Sequence, residues 1–230
     1  LDRDLAGPVT IQTGRHPLPV AELLAEKLRK MGVSDTSQIV AYDDAGGVFA
    51  ARLWWLLRWL GHPQVAVLDG GMGKWLKENR PVTPELPLGV TAGDFLPHPD
   101  NALWVDSIEV EKQSREHKGR LLDARAASRF RGEEETIDAV AGHVPGAVNL
   151  PFTGNVTEDG CFKSARTLRQ RFEPALGGVS PADAVCMCGS GVTACHNLLA
   201  MVIAGMQGGR LYAGSWSEWI RDPSRPVKLG

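Results

Sequence analysis

Residues 184–204 read Ala184-Val-Cys-Met-Cys188-Gly-Ser-Gly-Val-Thr193-Ala-Cys-His-Asn-Leu-Leu-Ala-Met-Val-Ile-Ala204. Four apolar residues, a run of small ones and a long apolar stretch describe a short buried strand, a tight turn and a buried helix. The same pattern occurs earlier in the chain at an offset of 144 residues. Gly71-Met-Gly-Lys-Trp75 shares its Trp spacing with Ser215-Trp-Ser-Glu-Trp219, and Gly47, Val48, Ala50, Gly61 and Gly70 fall on Gly191, Val192, Ala194, Gly205 and Gly214. In that ungapped register Asp44 falls on Cys188. Trp and Gly agree together, which points to an internal duplication.

Each copy reads as a helix (18–31; 164–176), a strand (38–42; 184–187), a glycine-rich turn, a buried helix and a further strand (64–68; 210–212). Strands alternating with helices of this length predict an α/β fold of two domains, each a parallel sheet with helices on both faces. The second copy has additional opening strands near 103–106 and 121–123. Their counterparts would precede Leu1, so the first domain is expected to be incomplete at its N-terminus. Pro81, Pro84, Pro87, Pro97 and Pro99 mark a linker. The expected division is 1–80 for the first domain, 81–102 for the linker and 103–230 for the second domain.

The composition excludes several classes of function. Of 230 residues, 43% are hydrophobic and 23% charged, with a net charge of −2, so no basic surface is available for nucleic acid. No apolar run reaches the roughly 18 residues that a membrane helix requires. Three of the four Cys fall within 186–195, which is not a secreted disulfide framework and points to a reducing, cytoplasmic location.

The chemistry belongs to the second copy. In an open parallel sheet, ligands bind beyond the carboxyl ends of the strands, and Cys188 stands at such an end. The small residues Gly189, Ser190, Gly191, Val192 and Thr193 let backbone N–H groups converge in front of a helix, a nest that favours a thiolate. Cys188 is the candidate nucleophile, whereas Cys186 and Cys195 read as core. A phosphate-binding cysteine loop would close with Arg where this chain has Ala194. The spacing of Cys186, Cys188, Cys195 and His196 is not that of a zinc site, and no cofactor or metal is expected.

Cys188-Gly-Ser-Gly-Val-Thr193 resembles the active-site loop of the mercaptopyruvate sulfurtransferases of the tandem-domain rhodanese family. Leu122-Asp-Ala-Arg125, Arg129-Phe-Arg-Gly132, Gly142-His-Val-Pro-Gly-Ala147, Gly214-Ser-Trp-Ser-Glu-Trp219 and Val67-Leu-Asp-Gly-Gly71 are similar to further motifs of that family. The resemblance implies two rhodanese-like domains, the first catalytically silent. It implies sulfur transfer from 3-mercaptopyruvate through a Cys188 persulfide to a thiol acceptor such as thioredoxin, a small thiol, or cyanide, with release of pyruvate. Thiosulfate as donor, or a persulfide carrier that does not turn over, are the alternatives.

By the same resemblance Ser190 relays a proton and Arg129 pairs with the donor carboxylate, while Gly189, Gly191, Val192 and Thr193 line the substrate site. Helix capping is a second reading for Ser190 and Thr193. Asp123 and Arg125 read as a structural ion pair. Two departures stand out. Glu133-Glu-Glu-Thr-Ile-Asp138 holds no second arginine, and the family's relay aspartate would fall just before Leu1, with neither Asp2 nor Asp4, which lie near that position, promoted in its place. His16, in His16-Pro-Leu-Pro19, resembles a first-domain His-x-Leu-Pro of the family near the interdomain cleft, but is read as a cap or turn residue.

Overall fold

The computed structural model describes residues 1–85 and 89–230. The first unit runs α1 (Ala21–Lys30), β1 (Ile39–Ala41), α2 (Val48–Trp59), β2 (Val65–Val67) and α3 (Gly71–Lys77). The second runs β3 (Trp104–Val105), α4 (Ser107–Glu116), β4 (Arg120–Asp123), α5 (Ala127–Arg131), β5 (Val148–Asn149), α6 (Ala165–Leu176), β6 (Ala184–Met187), α7 (Thr193–Ile203), β7 (Arg210–Tyr212) and α8 (Ser215–Trp219).

The second unit is a five-stranded parallel sheet in the order β3-β7-β6-β4-β5. Strand periodicity divides its side chains between two cores. Val185 and Met187 face Leu121, Tyr212, Trp216 and Trp219 on the side of α4 and α8. Cys186 faces Leu122, Leu198 and Met201 on the side of α6 and α7. Both faces are therefore covered, as expected.

The first unit holds a two-stranded parallel sheet in which Ile39 pairs with Val65 and Ala41 with Val67. Ile39 packs against the core formed by Leu24, Leu28 and the apolar side of α2, and Ala41 is buried, but Val40 is 53% exposed and Tyr42 57%. On that other face Val40 and Tyr42 line a groove together with Met72 and Trp75 of α3.

The duplication is visible in the backbone. Gly47 and Gly191 have φ of +88° and +78° at equivalent helix entries, Gly61 and Gly205 have +85° and +74° after the helices, and Gly32 and Gly178 both have +85°. The buried helices of the two copies, α2 and α7, pack directly on each other.

The proline-rich segment runs back along the first unit. Gly93 donates to the Arg29 carbonyl, His98 to that of Leu60 and Asp100 to that of Trp59. Phe95, 2% exposed, packs edge-on against His62. Pro87 lies outside the described residues. Among the described residues, no helix is long and apolar enough to cross a membrane.

Candidate active site

Cys188 follows β6 directly and lies at the carboxyl edge of the sheet, 2% exposed. Its Sγ accepts N–H groups from Ser190 at 3.4 Å and Gly191 at 3.1 Å. Gly191 is required there twice over: its φ of +78° disfavours a side chain, and a Cβ would run into the Ala213 carbonyl oxygen. Of the loop residues 189–193, Ser190 and Gly191 are the two whose N–H groups reach the sulfur itself. Gly189 contributes a carbonyl that accepts from Ser217, Val192 is the helix N-cap residue without a side-chain cap, and Thr193 is the first residue of α7.

A second loop braces the first. Ser215 Oγ accepts the Cys188 N–H at 3.0 Å and donates to the Tyr212 carbonyl, while the Trp216 N–H donates to the Cys188 carbonyl. Ser215 adopts φ +53°, uncommon for a residue with a side chain, and this conformation aims the brace at the nucleophile. Its place in the Gly214-to-Trp219 motif was visible in the sequence, but its role was not.

Ser190 is 7% exposed, and its Oγ lies 2.7 Å from Nδ1 of His16 in the first unit. The other ring nitrogen, Nε2, lies 3.0 Å from the Asp2 carboxylate. Asp2 can only accept, so Nε2 carries the proton and Nδ1 is free to accept from Ser190. Of the two readings of Ser190, helix capping is not what the structure has, since Val192 is the N-cap of α7; His16 lies in a bend and meets the cysteine loop from the first unit. Asp2, set aside in the sequence, completes the chain, although its carboxylate is 84% exposed. Burial lowers the His16 pKa below its ordinary value; Asp2 opposes that shift, while Arg15 and Arg52 add to it. The lowered pKa favours the neutral imidazole, the form able to accept a proton.

Arg52 on α2 ties the two units together. It is fully buried and donates to the carbonyls of Gly191 at 3.2 Å and His16 at 3.2 Å. One guanidinium thus holds both the cysteine loop and the histidine.

Arg129 is not an empty fork. Nε and Nη2 bind Glu135, and Nη2 also reaches Asp138 Oδ2 at 2.9 Å. The other oxygen of Asp138 binds Arg15 of the first unit. Asp123 and Arg125 form the expected buried pair, with Arg125 donating to the Gly142 carbonyl and lying over the Trp216 ring.

Cys186 and Cys195 are core, as the alternation indicated. Burial pushes the Cys186 thiol well up, and that of Cys195 up to about 12 despite the nearby Arg52. His196, on the far side of α7, donates through Nε2 to the Gly46 carbonyl and stacks on Phe162.

The corresponding loop of the first copy holds an aspartate. Met72 donates to the Asp43 carbonyl as Trp216 donates to that of Cys188, so Asp43, not Asp44, is the counterpart of Cys188. The first loop has one extra residue, which an ungapped register could not show. The Asp43 carboxylate accepts from the N–H groups of Ala45, Gly47, Phe49 and Ala50. Burial alone would raise its pKa, but these four donors outweigh that and hold it below the ordinary value. An internal anion fills the cradle.

Comparisons with known proteins agree with this geometry. The Rhodanese-like domain model matches residues 5–78 and 107–222. A Pseudomonas aeruginosa protein named "Probable 3-mercaptopyruvate sulfurtransferase" is 50% identical over 232 residues, covering 100% of this chain and 81% of the relative. The thiosulfate sulfurtransferase of Gallus gallus is 38% identical over 215 residues, covering 92% and 73%. Among solved structures, SseA from Escherichia coli, presented with the 3-mercaptopyruvate sulfotransferases, superimposes with a TM-score of 0.78 at 32% identity, covering 93% of this chain and 79% of that one. With two matched units, a cysteine loop in the second and an aspartate-filled loop in the first, the chain belongs to the family of proteins built from rhodanese-like domains.

Proposed function

We propose that this protein is a sulfurtransferase that takes sulfur from 3-mercaptopyruvate onto Cys188 and passes it to a thiol or to cyanide. The observation that carries this reading is the contact between Ser190 and His16 beside a sulfur held by two backbone N–H groups. The names of the relatives support the same reaction class.

The Cys188 thiolate attacks the donor's sulfur. The carbon–sulfur bond breaks and its electron pair leaves with the carbon as the enolate of pyruvate. The donor's thiol proton passes through Ser190 to His16 Nδ1, and a proton returns to the enolate carbon to give pyruvate. Cys188 is left as a persulfide, whose negative charge the Ser190 and Gly191 N–H groups stabilise without a titratable group. An acceptor thiolate then attacks the outer sulfur and the sulfur–sulfur bond breaks, which restores the Cys188 thiolate.

Donor choice follows from protons and charge. Thiosulfate has no thiol proton to remove and leaves as sulfite, so the Ser190–His16 pair gives it no advantage. Gly189 and Ser190 are neutral, which favours a monoanion over a dianion. The Gallus gallus relative keeps thiosulfate in view as the second reading. Gly189, Gly191, Val192 and Thr193 form the floor of the donor site, and Arg129 receives the carboxylate through its free Nη1. We place the reaction in the cytoplasm, with thioredoxin or a small thiol as acceptor, in keeping with four free cysteines. The units are divided at 1–80, 81–102 and 103–230.

The test is the ratio of kcat/KM for mercaptopyruvate and thiosulfate with cyanide as acceptor. A preference of at least about tenfold for mercaptopyruvate is expected from the relay. Preference for thiosulfate would overturn the donor assignment, and loading of Cys188 without turnover would establish a carrier.

A further inference from the structure

We propose that Arg15, from the first unit, is the second arginine of the donor-carboxylate site, so that the clamp on the donor is shared between the two copies. This rests on the donor being an α-keto acid thiol.

The argument begins at Gly189, the residue after the nucleophile. A Cβ built there would lie 2.8 Å from Arg15 Nη2, 3.6 Å from Arg129 Nη1 and 3.7 Å from Arg129 Nη2. Two guanidinium groups from different units therefore converge over the cysteine loop at its glycine, with Arg15 closer than a side chain there would allow. An alanine at 189 would press on Arg15.

The engagement of the individual nitrogens is informative. Arg15 binds Asp138 through Nη1, and Arg129 binds Glu135 and Asp138 through Nε and Nη2. Arg15 Nη2 and Arg129 Nη1 make no hydrogen bond among the described residues. Arg15 Nη2 is the nearest atom of all to the Gly189 position, and Arg129 Nη1 is the nearest atom of its own side chain. Asp138, 4% exposed, has one oxygen on each arginine and acts as a brace that aims both forks. One carboxylate can accept an N–H from each side of such a pair.

This supplies what the second unit lacks in its own sequence, where 133–138 contains no arginine. It also explains why Arg15 and His16 are adjacent. The Arg15 N–H is pinned by Ser217 Oγ at 3.0 Å, in the loop that braces Cys188, so carboxylate recognition and proton transfer enter the site on one segment. The charge of Arg15 is felt at His16, whose pKa it helps to lower after the larger effect of burial.

The experiment uses the whole chain and the variants Arg15→Ala and Arg15→Lys. Three quantities are measured: the Kd of pyruvate by calorimetry, the KM for mercaptopyruvate, and the single-turnover rate at which preloaded Cys188 persulfide is discharged by dithiothreitol. Arg15→Ala is expected to raise the pyruvate Kd and the KM together by at least about tenfold. Discharge to the uncharged dithiol stays within about twofold, and Arg15→Lys recovers part of the loss because it keeps the charge without the fork. An unchanged pyruvate Kd in Arg15→Ala would overturn the proposal, as would an equal fall in dithiothreitol discharge, which would make Arg15 a structural tie. Pyruvate binding that depends on Arg15 in a protein that cannot turn over mercaptopyruvate would leave the shared clamp standing and remove the donor assignment.

Discussion

Ser190 Oγ and His16 Nδ1 are 2.7 Å apart although 174 residues separate them in the chain. The hydroxyl comes from the cysteine loop of the second copy and the imidazole from the first. On the proposed mechanism the first copy is thus part of the chemistry, because it delivers the proton acceptor.

His16→Ala should lower kcat for mercaptopyruvate by about 10² or more, the usual range for a positioned acid or base. Discharge of a preformed persulfide should change much less. Because burial lowers the His16 pKa, the donor half-reaction should hold its rate through neutral pH and fall only below the ordinary histidine range. Asp2→Asn should cost only a few-fold, since an 84% exposed carboxylate is screened by water. A His16→Ala enzyme of normal kcat would remove the relay. Pre-steady-state pyruvate release against pH measures both effects.

Gly191→Ala should disable the enzyme and destabilise it. The new methyl group meets the Ala213 carbonyl in a backbone conformation that alanine disfavours, at a cost of about 1–3 kcal/mol. Urea unfolding of the variant beside its persulfide-forming rate checks this, and an unchanged midpoint would contradict the placement of the loop.

Arg52→Leu should destabilise the folded chain by about 2–4 kcal/mol, because it leaves the buried Gly191 and His16 carbonyls without their charged donor. Loss of donor turnover should exceed what the unfolded fraction explains, as both carbonyls belong to residues beside the reaction. Thermal unfolding together with kcat at a temperature where the variant is fully folded separates the two effects.

Acid should weaken the fold through His196. Burial lowers its pKa to about 4, so the unfolded chain binds its proton first as pH falls. Stability present above about pH 6.5 is lost progressively down to about 4 and levels off below, roughly 3 kcal/mol in all. Lowered pKa values at His16 and His143 act in the same direction. In His196→Gln, urea unfolding at pH 7 and pH 4.5 should show a smaller loss than in the native chain. An equal loss would show that the acid sensitivity lies elsewhere.

The duplicated strand-turn-helix unit, the nucleophile and the core assignment of Cys186 and Cys195 were legible because periodicity and small-residue runs are local properties of the sequence. β6 and β7 occupy the expected residues, and α7 ends one residue early. The sequence motifs point to Ser190 and Arg129, but not to their partners. His16, Asp2, Arg15 and Arg52 belong to the site only through the packing of α2 on α7, which brings distant segments to one loop. Local spacing carries no trace of such a contact. The one-residue insertion that makes Asp43 the counterpart of Cys188 was hidden for a related reason: it lies within a turn, where neither strand nor helix periodicity marks the register.

The most direct test of the central claim is the intact mass of the protein after incubation with 3-mercaptopyruvate and no acceptor, with pyruvate assayed in the same tube. The account predicts one added sulfur per chain, an equal amount of pyruvate, and neither in Cys188→Ser. Pyruvate without added sulfur, or sulfur still gained by the folded Cys188→Ser chain, would contradict it.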